Sequence, residues 1–270
     1  MADFEERFPG LAGRVAVVTG ASGAIGQATA RMLARQGAAP AVTARRGAEL
    51  NPLVDAIRRD GGRAVGVVAD VTDRRAVEHV RDETEQRLGP VDLVAAVAGG
   101  LGEPVGLLEL EPERWRAAVE LNLTSVFEAM QIFLPGMVER RRGAMVTVST
   151  TAGRQAAMVG TMRSSGGGRG GSASPAYVAA KAGLLALTRQ AAAEVAPAGV
   201  RINAVAPGAV LNERMAGAPA EALAQIARHH PLGRIGTPQD VAAAIGFLLS
   251  DAASWITGAT LDVNRGRVML

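Results

Sequence analysis

The chain holds a single tyrosine, Tyr177, and a single lysine, Lys181, four residues apart; nearly every other positive charge is carried by arginine. One helical turn separates the two, so their side chains emerge on the same helix face. A phenol with a pKa of about 10 is a poor acid or base near neutrality, and a neighbouring ammonium favours its ionised form. The pair therefore suits proton transfer to or from an oxygen atom. A second feature lies near the amino end, where an apolar run leads into Thr19-Gly20-Ala21-Ser22-Gly23-Ala24-Ile25-Gly26. A glycine-rich turn between a strand and a helix lets the backbone approach a pyrophosphate, which the helix N-terminal amides and dipole then hold.

Positioning these groups requires a scaffold, and the apolar pattern supplies one. Residues 15–19, 64–69, 93–98, 144–149 and 200–205 are short runs rich in β-branched side chains, with no polar alternation. They read as strands of a parallel sheet covered on both faces. Residues 39–43 make a weaker strand, because Pro40 cannot donate to a ladder. Helices are expected over 25–36, 48–59, 74–88, 112–140, 176–196 and 238–250. This alternation predicts an α/β fold with a Rossmann-type doubly wound parallel sheet, a single domain spanning 1–270. Two stretches interrupt it. Residues 163–175 form a Gly/Ser-rich insert, and residues 209–237, with a short helix over 220–229, have the length and position of a substrate lid.

Composition narrows the function. At 270 residues with 48% hydrophobic content and a net charge of +3, the chain is expected to be globular, not disordered. Absence of cysteine excludes disulfides, thiol chemistry and a Cys-type zinc site. The sequence pI of about 10.4 reflects an arginine excess with few groups titrating above neutrality. Its arginines are scattered, so no nucleic-acid footprint is expected. No apolar run is long enough to span a bilayer and the first ten residues do not resemble a secretory signal, so neither a membrane partner nor export is expected, and the protein reads as cytoplasmic. His79, His229 and His230 lack metal-ligand spacing, and no G-x-S-x-G elbow is present. No metal is expected.

The turn at 19–26, Tyr177-Val178-Ala179-Ala180-Lys181 and Asn203-Ala204-Val205-Ala206-Pro207-Gly208 together resemble the short-chain dehydrogenase/reductase family, in pattern closest to its 3-oxoacyl-acyl-carrier-protein reductases. The likeness runs from about Gly13 to Gly266. It implies a seven-stranded sheet and hydride transfer between a nicotinamide and a ketone or secondary alcohol, with a 3-oxoacyl thioester as one candidate small-molecule substrate. By this resemblance Tyr177 exchanges the proton, Lys181 lowers its pKa, and Asn122 in Asn122-Leu123-Thr124-Ser125-Val126-Phe127 organises the relay. The orienting hydroxyl maps to Thr150, although it lies 27 residues before Tyr177 where the family spacing is about a dozen; Ser149 and Ser164 stay open as alternatives.

The family's cofactor contacts map onto Gly20, Ser22, Gly23, Ile25 and Gly26 for the pyrophosphate, and onto Asp70 and Val71 for the adenine. Ala98, Gly99, Pro207, Gly208, Val210 and Asn212, with Tyr177 and Lys181, map onto the nicotinamide end. The second strand ends in Ala44-Arg45-Arg46 where an acidic residue would select NAD(H), so the expected cofactor is NADP(H), with Arg45 foremost on the 2′-phosphate and Arg46 in support. Several positions depart from the family pattern: Ala24 for the middle glycine, Ala96 and Val97 for two asparagines, Asn212 for a threonine and Arg265 for a glycine. The departures at Ala24, Ala96, Val97, Thr150 and Asn212, with the 163–175 insert, leave open a nucleotide-binding protein with little or no turnover, and an NAD-linked alcohol dehydrogenase if Arg45 turns outward. The apolar tail Val268-Met269-Leu270 suggests a subunit contact in a homo-oligomer, a tetramer or dimer.

Overall fold

A computed structural model of the chain describes residues 8–103, 105–155, 173–228, 231–266 and 268–269. Seven strands, β1 (Val15–Thr19), β2 (Ala39–Ala44), β3 (Val65–Val68), β4 (Val91–Ala96), β5 (Gly143–Val148), β6 (Val200–Pro207) and β7 (Thr260–Val263), form one sheet in the order β3-β2-β1-β4-β5-β6-β7. Every pairing is parallel. β1, β2 and β5 are buried along their whole length, as continuous apolar strands covered on both faces must be. The expected doubly wound α/β architecture is therefore present.

On one face lie α1 (Ala24–Arg35), α2 (Gly47–Arg59) and α9 (Pro238–Leu249), burying Leu33, Leu53, Ile57 and Ile245 against the sheet. On the other lie α3 (Arg74–Arg87), α4 (Pro112–Val119), α5 (Ser125–Glu139) and α6 (Pro175–Val195), with Val80, Phe133, Met137 and Leu184 in that core layer. The sheet order reverses between β1 and β4, so the crevice beyond their carboxyl ends is the topological switch point, where ligands bind in open α/β sheets. α7 (Glu213–Ala216) and α8 (Ala220–Arg228) occupy the excursion between β6 and α9.

Pro40 sits in an interior strand, contrary to the weak assignment its missing N–H suggests. Ala39 donates to the Arg14 carbonyl on the β1 side, so the N–H of the next residue would face β3. Pairing with β3 begins only at Ala41, one residue later, and the ladder loses nothing. The expected single helix over 112–140 is interrupted by a π turn, Glu120–Thr124, between α4 and α5. Pro112–Glu139 is long and apolar enough to cross a membrane by length and composition, with mean hydropathy 1.2. Here α5 packs on β4 and β5, burying Val126, Met130, Phe133 and Met137.

Candidate active site

Helix α6 starts where its sequence dictates. Ser174 is the N-cap, its hydroxyl accepting from the Tyr177 N–H at 3.3 Å, and Pro175 holds the first helical position. Tyr177 therefore stands in the first turn and Lys181 one turn along, both buried, with the Lys181 Nζ 6.0 Å from the ring centroid. Across from them β5 ends at Val148, and Thr150 caps a 3-10 turn over Thr151–Gly153. The Thr150 side chain lies beside the Tyr177 phenol, while the Lys181 ammonium donates to the Val148 carbonyl at 2.7 Å.

Ser149 is turned away from the phenol. Its hydroxyl donates to the Lys181 backbone carbonyl at 2.9 Å, as the alternation of side chains along a strand requires. Ser164 lies outside the described residues, as do His229, His230 and all of the 163–175 insert except its last three residues. Of the two described hydroxyls, Thr150 is the one that lies toward Tyr177.

Asn122 falls inside the π turn, a distortion that often marks functional positions. It is fully buried and saturated by backbone: Nδ2 donates to the Gly100 and Ala118 carbonyls at 3.0 and 2.9 Å, and Oδ1 accepts from the Gly100 N–H at 3.0 Å. Gly99 packs directly on this pair of polar groups. A Cβ there would lie 2.9 Å from the Asn122 Oδ1 and 3.1 Å from the Lys181 Nζ. Gly153, which the motif reading left without a role, is equally confined, since its Cβ would meet the Lys181 carbonyl carbon at 3.0 Å.

Burial dominates the electrostatics. It pushes the Tyr177 phenol above its ordinary value, with the Thr150 side chain working in the opposite direction. Burial also draws the Lys181 ammonium down from 10.5 to about 8. The expected lowering of the phenol by Lys181 is thus not what this geometry gives. The ammonium spends its short hydrogen bond on Val148, and desolvation of the ring prevails.

At the switch point, Gly20 adopts φ +67, and a Cβ on it would meet the Ala98 Cα at 2.8 Å. A Cβ on Gly26 would run into the Gly20 carbonyl oxygen and lie 2.8 Å from the Ala21 Cα. The turn is packed to the limit at these two positions. Gly23 is different: it is the N-cap of α1 at φ −81, a conformation open to any residue, and Ala24 simply begins the helix. That N-terminus carries no side-chain cap and no acidic residue in its first turn, which leaves the amides around Ser22 and Ile25 disposed toward an anion. The cradle fits a dinucleotide pyrophosphate. Ala96 and Val97 replace asparagines, yet the two strand ends stay tied, because the Ala98 N–H donates to the Thr19 hydroxyl at 3.0 Å.

Ala44 is buried at the end of β2, with Arg45 and Arg46 exposed beyond it. Arg46 pairs with Glu49 in the first turn of α2, whereas Arg45 has no ion-pair partner among the described residues. Asp70 accepts from the Thr72 N–H and hydroxyl through Oδ1 alone; the backbone bond outweighs burial and, with Arg45 nearby, holds the carboxyl below its usual value. Val71 packs on the adjoining core. Pro207 ends β6, the Gly208 N–H donates to the Val263 carbonyl, and Val210 bridges in parallel to Gly236. Asn212 is the N-cap of α7, accepting from the Met215 N–H at 3.2 Å.

Other features carry no chemistry at this end of the sheet. A cavity of about 470 Å³ opens at the amino ends of the strands, where Arg201 donates to the Leu248, Leu249 and Ser250 carbonyls and Arg14 pairs with Asp251. These arginines tie the sheet together. No cluster of three or more potential metal ligands occurs among the described residues, and His79 is exposed on α3. The tail expected at a subunit contact is partly internal, for Val268 is buried and its carbonyl accepts from Asn264.

A family model described as short chain dehydrogenase matches residues 14–222. A cis-4-hydroxycyclohexanecarboxylate dehydrogenase of Sinomonas cyclohexanicum is 41% identical over 257 residues, covering 95% of this chain and 97% of that protein. A 3-oxoacyl-[acyl-carrier-protein] reductase of Escherichia coli is 35% identical over 258 residues, covering 96% and 98%. Among solved structures, a 3-oxoacyl-[acyl-carrier protein] reductase of Brucella melitensis superposes with a TM-score of 0.88 at 29% identity, covering 100% and 97% of the two chains. A second reductase from that organism, with bound NAD, gives 0.83 at 30% identity, covering 95% and 92%.

Proposed function

The chain belongs to the short-chain dehydrogenase family, and from that premise we propose that it is an NADP(H)-dependent oxidoreductase interconverting a ketone and a secondary alcohol. The observation that carries the proposal is the burial of the sole tyrosine and sole lysine together, one helical turn apart, with the Thr150 side chain acting on the phenol from the end of β5. A nicotinamide dinucleotide, when bound, supplies or takes up the hydride. The remaining tasks fall to the chain's own groups.

In the reductive direction Tyr177 holds the proton at its phenolic oxygen and delivers it to the substrate oxygen, which Thr150 orients and polarises. Lys181, its pKa drawn to about 8, loses and regains a proton near neutrality more readily than an exposed lysine and so serves to reprotonate the phenol. Asn122 locks the Gly99–Gly100 backbone beside Lys181. Gly20, Ser22, Gly23, Ile25 and Gly26 would hold the pyrophosphate, and Asp70 and Val71 the adenine. Ala98, Gly99, Pro207, Gly208, Val210 and Asn212 would flank the nicotinamide, and residues 209–237 would close over the substrate.

NADP(H) is favoured by Arg45, which has no competing ion pair among the described residues, and by the uncharged Ala44 at the end of β2. NAD(H) is the second reading, supported by the NAD bound to the second Brucella protein. For the substrate, the two named relatives frame a choice between a ring secondary alcohol and a 3-oxoacyl thioester. We read the protein as a homo-oligomer, tetramer or dimer, on its exposed Trp115 and Phe127 along α4 and α5. Binding of NADPH and NADH, followed by NADPH oxidation over a panel of cyclic ketones and 3-oxoacyl thioesters, tests the whole reading. NADPH-preferring turnover is the expected result; binding of neither nucleotide would overturn it.

A further inference from the structure

Arg265 stands in the left-handed region at φ +59, where a side chain is disfavoured and glycine is at home. Its guanidinium is nevertheless drawn inward, only 8% exposed, and donates to the Asp240 Oδ2 at 2.7 Å and to the Arg234 carbonyl at 3.3 Å. Asp240 is a hub. Arg234 grips it through two bonds of 2.7 and 2.8 Å, and the Thr237 N–H and hydroxyl donate to it at 2.7 and 2.9 Å. Burial raises its carboxyl, but these donors outweigh burial and hold it ionised below its usual range.

The hub lies next to a backbone seam. Gly236 donates to the Ala209 carbonyl at 2.9 Å, and its own carbonyl accepts from the Leu211 N–H at 2.8 Å. On the other side, the Gly208 N–H donates to the Val263 carbonyl, two residues before Arg265. The segment 208–211 is thus held between β7 and residue 236, and the Arg265–Asp240 bond closes the ring between those two supports. Asn264, buried, shapes the turn that aims the guanidinium, its Oδ1 accepting from the Gly266 N–H at 3.0 Å and its Nδ2 donating to the Val268 carbonyl at 3.2 Å.

We propose that Arg265 is a positioning residue, a latch from the C-terminal turn to the base of the 209–237 excursion that holds the segment flanking the nicotinamide site. A strained conformation kept by a side chain that reaches a specific, multiply bonded carboxylate is what such a role would leave. The proposal rests on the reading of Pro207, Gly208 and Val210 as nicotinamide neighbours. The latch itself is a statement about the seam, which can be measured without turnover.

The test uses Arg265→Gly, which removes the guanidinium and relieves the backbone, so the variant folds, together with Arg265→Lys, which keeps a point charge. Hydrogen exchange at the Leu211 and Gly236 amides is read first, then NADPH affinity, KM and kcat on the full chain. The expected result for Arg265→Gly is exchange faster by about tenfold at both amides and NADPH affinity weaker by about three- to tenfold, with kcat at saturation within about twofold, and partial recovery in Arg265→Lys. Unchanged exchange in Arg265→Gly overturns the latch whatever the activity. Faster exchange with unchanged NADPH affinity overturns its positioning role. If the unaltered protein binds no nicotinamide nucleotide while Arg265→Gly still speeds exchange, the latch stands and the nicotinamide reading falls.

Discussion

Lys181 should be a liability to the fold, and replacing it with methionine should stabilise the protein while removing its activity. The folded state lowers the lysine pKa from 10.5 to about 8 by burial alone. At 1.36 kcal/mol per unit, a drop of roughly 2.5 units corresponds to about 3 kcal/mol of destabilisation at any pH below the folded value. Lys181→Met removes that penalty but orphans the Val148 carbonyl, which now accepts a 2.7 Å bond from the ammonium. Leaving a buried carbonyl unpaired costs about 1–2 kcal/mol. The net gain at pH 7 is about 1–2 kcal/mol, or a Tm higher by about 2–8 °C for a chain of this size.

The sign of the pH dependence follows from which state holds the proton. Between the folded pKa near 8 and the unfolded value of 10.5 the unfolded chain binds more protons, so stability rises with pH. Tyr177, held neutral by burial, opposes this only above its ordinary pKa, which confines the clean window to pH 8–10. The composition makes that window nearly silent otherwise, since the chain has no cysteine, no second lysine and no second tyrosine. Denaturant melts across it should show the unaltered protein gaining about 2–3 kcal/mol and Lys181→Met gaining almost none. A variant less stable than the parent at pH 7, or one that keeps the slope, would refute the claim that desolvation governs this site.

Three further outcomes follow from named contacts. Gly26→Ala should abolish nucleotide binding and lower stability by about 1–3 kcal/mol, because its methyl meets backbone, whereas Gly23→Ala, whose nearest protein neighbour is the Gly20 oxygen at 3.5 Å, should leave stability unchanged; nucleotide titration reads the first and melting reads both. Arg45→Ala should weaken NADPH binding by roughly 10- to 100-fold and leave NADH within about twofold, as measured by calorimetry, and equal losses for both nucleotides would remove Arg45 from the 2′-phosphate. Thr150→Ser should keep kcat within about threefold of the parent while Thr150→Ala loses roughly 100- to 1,000-fold; similar rates in all three would mean that the Thr150 hydroxyl does not touch substrate.

The sheet was legible because buried parallel strands read as unbroken apolar runs, and the helix faces because their periodicity must match them. The Tyr177–Lys181 pair was legible from rarity and spacing, and the structure puts both in one buried pocket. What escaped notice depended on neighbours distant in sequence. Pro40 is harmless only because β3 starts one residue late, a matter of register between two strands. The π turn at Asn122 adds one residue to a helical turn without any glycine or proline to announce it. Ser174-Pro175 did carry a helix-start signature, a capping serine followed by proline, but it sits at the end of a Gly/Ser-rich stretch where such residues are unremarkable. The Arg265–Asp240 bond joins residues 25 positions apart, and a left-handed arginine gives no sign of its partner.

In the proposed reaction Tyr177 passes the proton while the rest of the site holds the nucleotide. Its most direct test is NADPH oxidation with an accepted ketone by the parent and by Tyr177→Phe, alongside NADPH binding to each. In the variant kcat should fall by about a thousandfold or more while NADPH affinity stays within about threefold. A Tyr177→Phe variant that still turns over at a rate near the parent's would contradict it.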